Sequence, residues 1–212
     1  EAIHPDSNGV TIVADGREYR VGKVIVTAGP WAGKLIPELE GQIKPRRLVL
    51  TWFAPKKISE FQPERFPIFA RMRHGFRLTG TPTLDGTMVK ASNTKNPKIV
   101  ERPDRLNRDV TTEEMSEVSK AVEELIPGLI PNPVRASVYM DGYTHDDHSM
   151  VGPIPSMPNT ILLGGFSGHG FKMSPVMGSI AADLAIDGKT EYSIDHLSPE
   201  RFLNSESHAN KK

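Results

Sequence analysis

The sequence predicts an α+β chain: a largely antiparallel sheet with flanking helices, plus returning strands and a closing helix of an α/β unit. Three observations carry that reading. Val24-Ile-Val-Thr-Ala-Gly-Pro-Trp31 is a continuous apolar strand ending in a small-residue turn, as in a parallel sheet buried on both faces. Beyond Pro45 the chain turns to strands without long helices between them, separated by proline, glycine and charged turns. Thr160 to Pro175 reads as a short buried strand, a glycine-rich turn and the start of a helix.

The 212 residues are 37% hydrophobic, enough for a real core. Their 26 basic and 26 acidic side chains cancel, so there is no electrostatic case for nucleic acid or an anionic membrane. With no cysteine, disulfides, thiolate metal sites and cysteine nucleophiles are excluded within this chain. No apolar run approaches the ~20 residues that span a bilayer, and no signal peptide is visible. A soluble, cytoplasmic protein is expected. The chain opens on Glu1 without methionine and enters strand-like sequence at once, which reads as a fragment.

Taken in order, Val10 to Val21 is a pair of strands around Asp15-Gly16, a strong hairpin signal. The strand from Val24 follows, then a short helix through Leu35 and Ile36 whose first turn suits Pro30. Strands are expected at Arg47 to Ala54, Ile68 to Met72, Phe76 to Gly80 and Thr87 to Ser92. In the last of these Lys90 lies between Val89 and Ala91, where an edge or solvent-facing residue is the plain alternative to a functional one. Thr111-Thr-Glu-Glu114 is a capping box opening a helix. Met115, Val118, Val122 and Leu125 form its buried stripe, and Pro127-Gly128 ends it.

Pro133 to Tyr143 is a further strand. After it, His145, Asp146, Asp147 and His148 invite a metal reading. Histidines three apart face opposite sides of a strand and no third is near, so no metal site is assigned. In the strand–turn–helix stretch, Gly164, Gly165, Gly168 and Gly170 are free to take positive φ and to approach a flat ligand closely. Ser174 is the expected N-cap, with Pro175 in the first helical position. That helix runs through Val176, Ile180, Ala181, Leu184 and Ala185 and stops near Gly188. Leu197 to Leu203 is one helical turn, and Asn204 to Lys212 a polar tail.

A helix start after a glycine turn favours negative charge, and Lys172 adds a full positive one. An ordinary tight strand-to-helix turn is the alternative. The glycine order is G-x-x-G-x-G, not the G-x-G-x-x-G of a dinucleotide-binding βαβ unit.

Gly165-Phe-Ser-Gly-His-Gly-Phe-Lys172 resembles the closing flavin loop of the monomeric sarcosine oxidase and N-methyltryptophan oxidase family, FAD-dependent amine oxidases of the D-amino-acid-oxidase-like superfamily. Ala28-Gly29-Pro30-Trp31 is similar to that family's A-G-x-W segment. Thr144, Asp146, Gly152 and Pro153 are similar to its T-x-D turn leading to G-P. The resemblance implies that Ala28, Gly29, Gly165, Phe166, Gly168, His169, Gly170, Phe171 and Lys172 contact FAD, with Trp31 serving packing. It places Lys172 beside both flavin and substrate carboxylate, and makes Lys90 the cation that assists oxygen reduction, since a fixed ammonium stabilises an anion as it forms. Thr94 and Leu78 fall at or near pocket positions.

The departures bear on chemistry. Thr94 stands where sarcosine oxidases have a pocket histidine, and Ala70, Leu78 and Thr79 replace the pocket methionine and tyrosine. Sarcosine itself is therefore not the expected substrate. The family's flavin-linking cysteine falls at about Tyr139, followed by Met140, so FAD must be held non-covalently.

The division implied is residues 1–36 in the FAD-binding domain, 37–138 a substrate domain, 139–190 the returning part of the FAD-binding domain, and 191–212 a tail. Roughly the N-terminal two-fifths, including the true βαβ unit, would lie outside this sequence and be its partner. The implied reaction is oxidation of the C–N bond of a small amine or N-substituted amino acid, with oxygen reduced to hydrogen peroxide. A dehydrogenase of the same superfamily, and a cofactor-free β-rich binding module, are the alternatives.

Overall fold

The protein is described by a computed structural model covering residues 2–95 and 97–203. In chain order its strands are β1 (Ala2–Asp6), β2 (Gly9–Ala14), β3 (Arg17–Val21) and β4 (Val24–Val26). A 3-10 turn (Gly29–Trp31) and a short helix α1 (Ala32–Leu35) follow. Next come β5 (Lys44–Pro55), β6 (Phe69–Arg73), β7 (Phe76–Thr81), β8 (Val89–Asn93) and β9 (Lys98–Ile99). Helix α2 (Thr112–Leu125) leads to β10 (Leu129–Tyr143), β11 (Met150–Ile154) and β12 (Met157–Gly164). Helices α3 (Gly170–Ile186) and α4 (Glu200–Leu203) close the described chain. It divides into two compact units, Glu1–Pro45 with Asp141–Lys212, and Arg46–Met140.

In the first unit, β1, β2 and β3 form an antiparallel meander. Asp15 and Gly16 both take positive φ (51° and 69°), the paired left-handed turn that matches strand twist. A second sheet has the order β11-β12-β4. There β12 runs antiparallel to β11 and parallel to β4, with Thr160 opposite Val24 and Leu162 opposite Val26. Both faces of β12 are covered, which is why Ile161-Leu-Leu163 reads as an unbroken apolar run. Ile161, Leu163 and Val151 pack under Met177, Ile180, Ala181 and Leu184 of α3. Leu162, Met150 and Ile154 pack with Ala32, Ile36, Leu39 and Phe202 on the other side.

Two local expectations are corrected. Among the described residues β4 pairs with β12 on one side only, and Ile25 is 40% exposed although Val26 is buried. Helix α3 begins at Gly170, after His169 rather than Ser174, with Pro175 inside it. A proline there lacks the N–H that Phe171's carbonyl would receive. The Ser174 hydroxyl supplies it instead, donating to the Phe171 carbonyl at 3.0 Å. Ser174 thus repairs the helix interior rather than capping its end.

In the second unit the strand order is β10-β5-β8-β7-β6, with β9 on β5. Helix α2 covers one face of this sheet. Phe53, Leu78, Val89 and Ala91 meet Val118, Ala121, Val122 and Leu125 in a single core. The capping box forms as expected: the Glu114 N–H donates to the Thr111 hydroxyl, and the Thr111 N–H to the Glu114 carboxylate.

Candidate functional site

The carboxyl ends of β4 and β12 lie side by side, because Val26 and Leu162 are partners in the parallel pair. The Ala28-Gly29 turn and the Gly165 turn therefore leave the sheet at the same end, where open α/β sheets bind ligands. Gly29 has φ 52° and a Cβ there would meet nothing within 4 Å. Gly165 has φ 60°, and a Cβ on it would lie 2.6 Å from the Thr144 methyl. Of the loop glycines, Gly165 and Gly168 take positive φ, whereas Gly164 and Gly170 do not.

Ser167 takes positive φ as well, 51°, a conformation that costs a non-glycine residue roughly 1–2 kcal/mol. Hydrogen bonds hold it there. Its N–H donates to the Gly142 carbonyl at 3.0 Å. Its hydroxyl donates to the Gly165 carbonyl at 3.2 Å and accepts from the Thr144 N–H at 3.2 Å. The Thr144 hydroxyl lies 3.3 Å from it and donates to the His148 carbonyl at 2.8 Å. Both side chains are buried. The next N–H, of Gly168, donates to Asp141 Oδ2 at 2.6 Å.

Beyond the loop, His169 gives α3 no side-chain cap. The first-turn N–H groups at Gly170, Phe171 and Lys172 then carry the helix's positive end. Lys172 is exposed, and Phe171 is 97% exposed among the described residues.

The T-x-D turn is braced from the C-terminal side. Burial raises the Asp146 carboxyl's pKa, but hydrogen bonds from Arg201, the His148 N–H and Thr144 outweigh it and hold the pKa well below the usual carboxylate range. His145 packs edge-on against Phe202, with ring centroids 4.8 Å apart. Among the described residues no cluster of His, Asp and Glu is arranged to hold a metal ion.

In the other unit, strand register decides which residues share the face opposite α2. Lys90 pairs with Trp52 and Thr81, and Thr79 with Ser92, so these stand opposite the core residues Val89 and Ala91. Lys90 is half-buried, and desolvation pushes its ammonium pKa down. Trp52 carries the Arg135 guanidinium over its ring at 4.6 Å.

Residues 1–184 match the family described as DAO, FAD dependent oxidoreductase. The chain belongs to that family. A monomeric sarcosine oxidase of Streptomyces avermitilis is 31% identical over 202 residues, covering 93% of this chain and 53% of its own length. An N-methyl-L-tryptophan oxidase of Salmonella heidelberg is 32% identical over 202 residues, covering 94% and 53%. Among solved structures, NikD, an amino acid oxidase of nikkomycin biosynthesis, has a TM-score of 0.79 at 21% identity, covering 93% and 53%. The L-proline dehydrogenase of P. horikoshii has a TM-score of 0.78 at 20% identity, covering 97% and 54%. The chain spans about half the length of the curated relatives it matches. Among the described residues, no helix is long and apolar enough to cross a membrane.

Several features of the loop unit are compatible with a flavin in a chain of this family. Gly165 takes positive φ where the Thr144 methyl leaves no room for a side chain, so the loop backbone stays bare there; Gly29 is uncrowded, and the uncapped α3 terminus with Lys172 favours an anionic group. A thioether from these residues is impossible, since the chain has no cysteine and Tyr139 stands at the counted position.

Ala28, Gly29, Gly165, Phe166, Gly168, His169, Gly170, Phe171 and Lys172 all lie on the two turns or the first turn of α3. Lys90 and Thr94 lie on or just after β8 in the other unit, and the Thr94 N–H and hydroxyl both donate to the Arg77 carbonyl. Leu78 is wholly buried in the core beneath α2, on the face away from Lys90. Trp31, read as packing, is 41% exposed among the described residues. Sequence reasoning missed the parts played by Ser167, Asp141 and Arg201. A serine between two loop glycines, beside a buried threonine, was the one available signal.

Proposed function

We propose that the protein carrying this chain oxidises the C–N bond of a small amine or N-substituted amino acid, using non-covalent FAD and oxygen and releasing hydrogen peroxide. The observation that carries the proposal is the loop–helix junction after β12, set at the carboxyl end of a parallel strand pair in a chain of this family. Bound FAD supplies the two-electron acceptor for the C–H bond beside the amine nitrogen. The chain's own residues bind and polarise. Lys172 and the α3 terminus attract anionic groups on cofactor or substrate. Lys90, held half-buried with no carboxylate partner among the described residues, offers its charge to the anion formed from oxygen. Thr94 remains a substrate-facing candidate. The rest of the protein's own chain, with the N-terminal FAD-binding unit, is its proposed partner, and a cytoplasmic setting belongs to the same proposal.

Family membership favours this enzyme over a cofactor-free module. The test is to reduce the full-length protein anaerobically with a panel of N-methyl amino acids and secondary amines, and then to admit oxygen. Rapid reoxidation with stoichiometric peroxide is expected. Reduction followed by reoxidation only with an added electron acceptor would favour a dehydrogenase, and no reduction by any amine would sink the proposal.

A further inference from the structure

The C-terminal helix is tied to the cofactor loop by one continuous polar network within a single unit. Arg201 in α4 donates from Nε to Asp146 Oδ2 at 2.9 Å, and from Nη2 to Oδ1 at 3.4 Å. The same Nη2 reaches the carbonyls of His148 at 2.8 Å and Ser149 at 3.0 Å. Nη1 turns back to the carbonyls of Leu197 and Ser198. The guanidinium also lies 4.3 Å from the Phe202 ring centroid, and that ring meets His145. Only an arginine provides such a planar fork of donors.

The His148 carbonyl accepts from both Arg201 and Thr144. Thr144 in turn donates its N–H to the Ser167 hydroxyl, which donates to the Gly165 carbonyl. Ser167 needs this support because its left-handed backbone is unfavourable for a side-chain-bearing residue. Thr144 is fixed from the other side as well, since its methyl fills the space a side chain on Gly165 would take.

We propose that Arg201 is a positioning residue for the cofactor loop, holding Thr144 and through it the left-handed Ser167, so that α4 sets how tightly FAD is held. This rests on the FAD-dependent reading above for its flavin part only. The order of the loop itself does not depend on that reading. Arg201 touches neither cofactor nor substrate in this account. It acts through a path of three hydrogen bonds, by way of the His148 carbonyl and Thr144, which only a coupling measurement can establish.

The experiment compares the full-length protein with Arg201→Met, Arg201→Lys, Thr144→Val, the Arg201→Met/Thr144→Val double variant, and a Val118→Ala control in the other unit. Amide hydrogen exchange is followed across residues 165–170, and FAD affinity and visible spectrum are measured by titration. Arg201→Met should speed exchange of the Ser167 and Gly168 amides about tenfold, raise the FAD Kd about tenfold and shift the flavin band. Val118→Ala should lower thermal stability and leave all three unchanged. Arg201→Lys should fall nearer to Met than to wild type, since an ammonium cannot reach a carboxylate and both carbonyls at once. The double variant should be no worse than the stronger single one. Exchange at wild-type rates in Arg201→Met overturns the proposal, as do additive single effects or an unchanged FAD Kd. If the wild-type protein takes up no FAD, the functional reading falls and the exchange arm alone decides the role of Arg201.

Discussion

In the sheet unit, Lys90 is held in place because its neighbours on β8, Val89 and Ala91, are buried in an apolar core with α2. In the loop unit, the Ser167 and Gly168 N–H groups donate to the Gly142 carbonyl and the Asp141 carboxylate, and the Thr144 N–H donates to the Ser167 hydroxyl, so directional bonds hold that backbone. The first arrangement tolerates substitution of like volume, because burial is non-directional. The second depends on particular donors and acceptors, and loses its shape when one is removed.

The largest expected effect breaks the sheet side. Leu125→Ala, at a wholly buried core position, should destabilise the protein by about 2–5 kcal/mol in denaturant unfolding. It should leave the flavin spectrum intact below the transition. The matching change on the loop side is Gly165→Val, which puts a branched side chain at φ 60° against the Thr144 methyl. We expect FAD retention to be lost on gel filtration even below the unfolding transition, whose midpoint falls as well because of the strain and the clash.

Lys90→Met sharpens the comparison further. Its oxygen reaction should slow about 100-fold, with anaerobic reduction by amine within about twofold of wild type. Stability supplies an independent check. Burial lowers the folded Lys90 pKa below the ordinary lysine value of 10.5, so its buried charge weakens the fold at neutral pH. That penalty lifts as pH rises through the window ending near 10.5. Wild type should therefore gain on Lys90→Met in alkaline solution and not at pH 7, as measured by thermal melts.

Smaller effects come from the helix cap and the brace. Thr111→Ala removes the capping acceptor for the Glu114 N–H and should cost about 1 kcal/mol. Asp146 contributes stability above its unfolded pKa of 3.8, and loses it as pH falls through its depressed folded value. Arg201→Met should accordingly flatten the acid limb of the stability profile below about pH 4, a modest change because the pair is partly solvated.

The same contrast explains what could be read in the chain. Asp15-Gly16 and the Thr111 capping box are local devices whose geometry follows from adjacent residues, and both occur as expected. The strands of the sheet unit were legible from their punctuation. The face each residue takes depends on register with a partner strand, so that Leu78 lies on the α2 side was not legible from its own segment. Ser174-Pro175 has the pattern of a helix start. Only the Phe171 carbonyl, satisfied by Ser174, reveals that the helix began earlier. Arg201 meets Asp146 across a wide gap in sequence, and nothing near either residue announces the contact.

The most direct test of the account is the absorbance spectrum of the full-length protein before and after acid precipitation. The account predicts a yellow protein whose flavin is released entirely to the supernatant. A colourless protein that takes up no added FAD, or flavin that stays with the pellet, would contradict it.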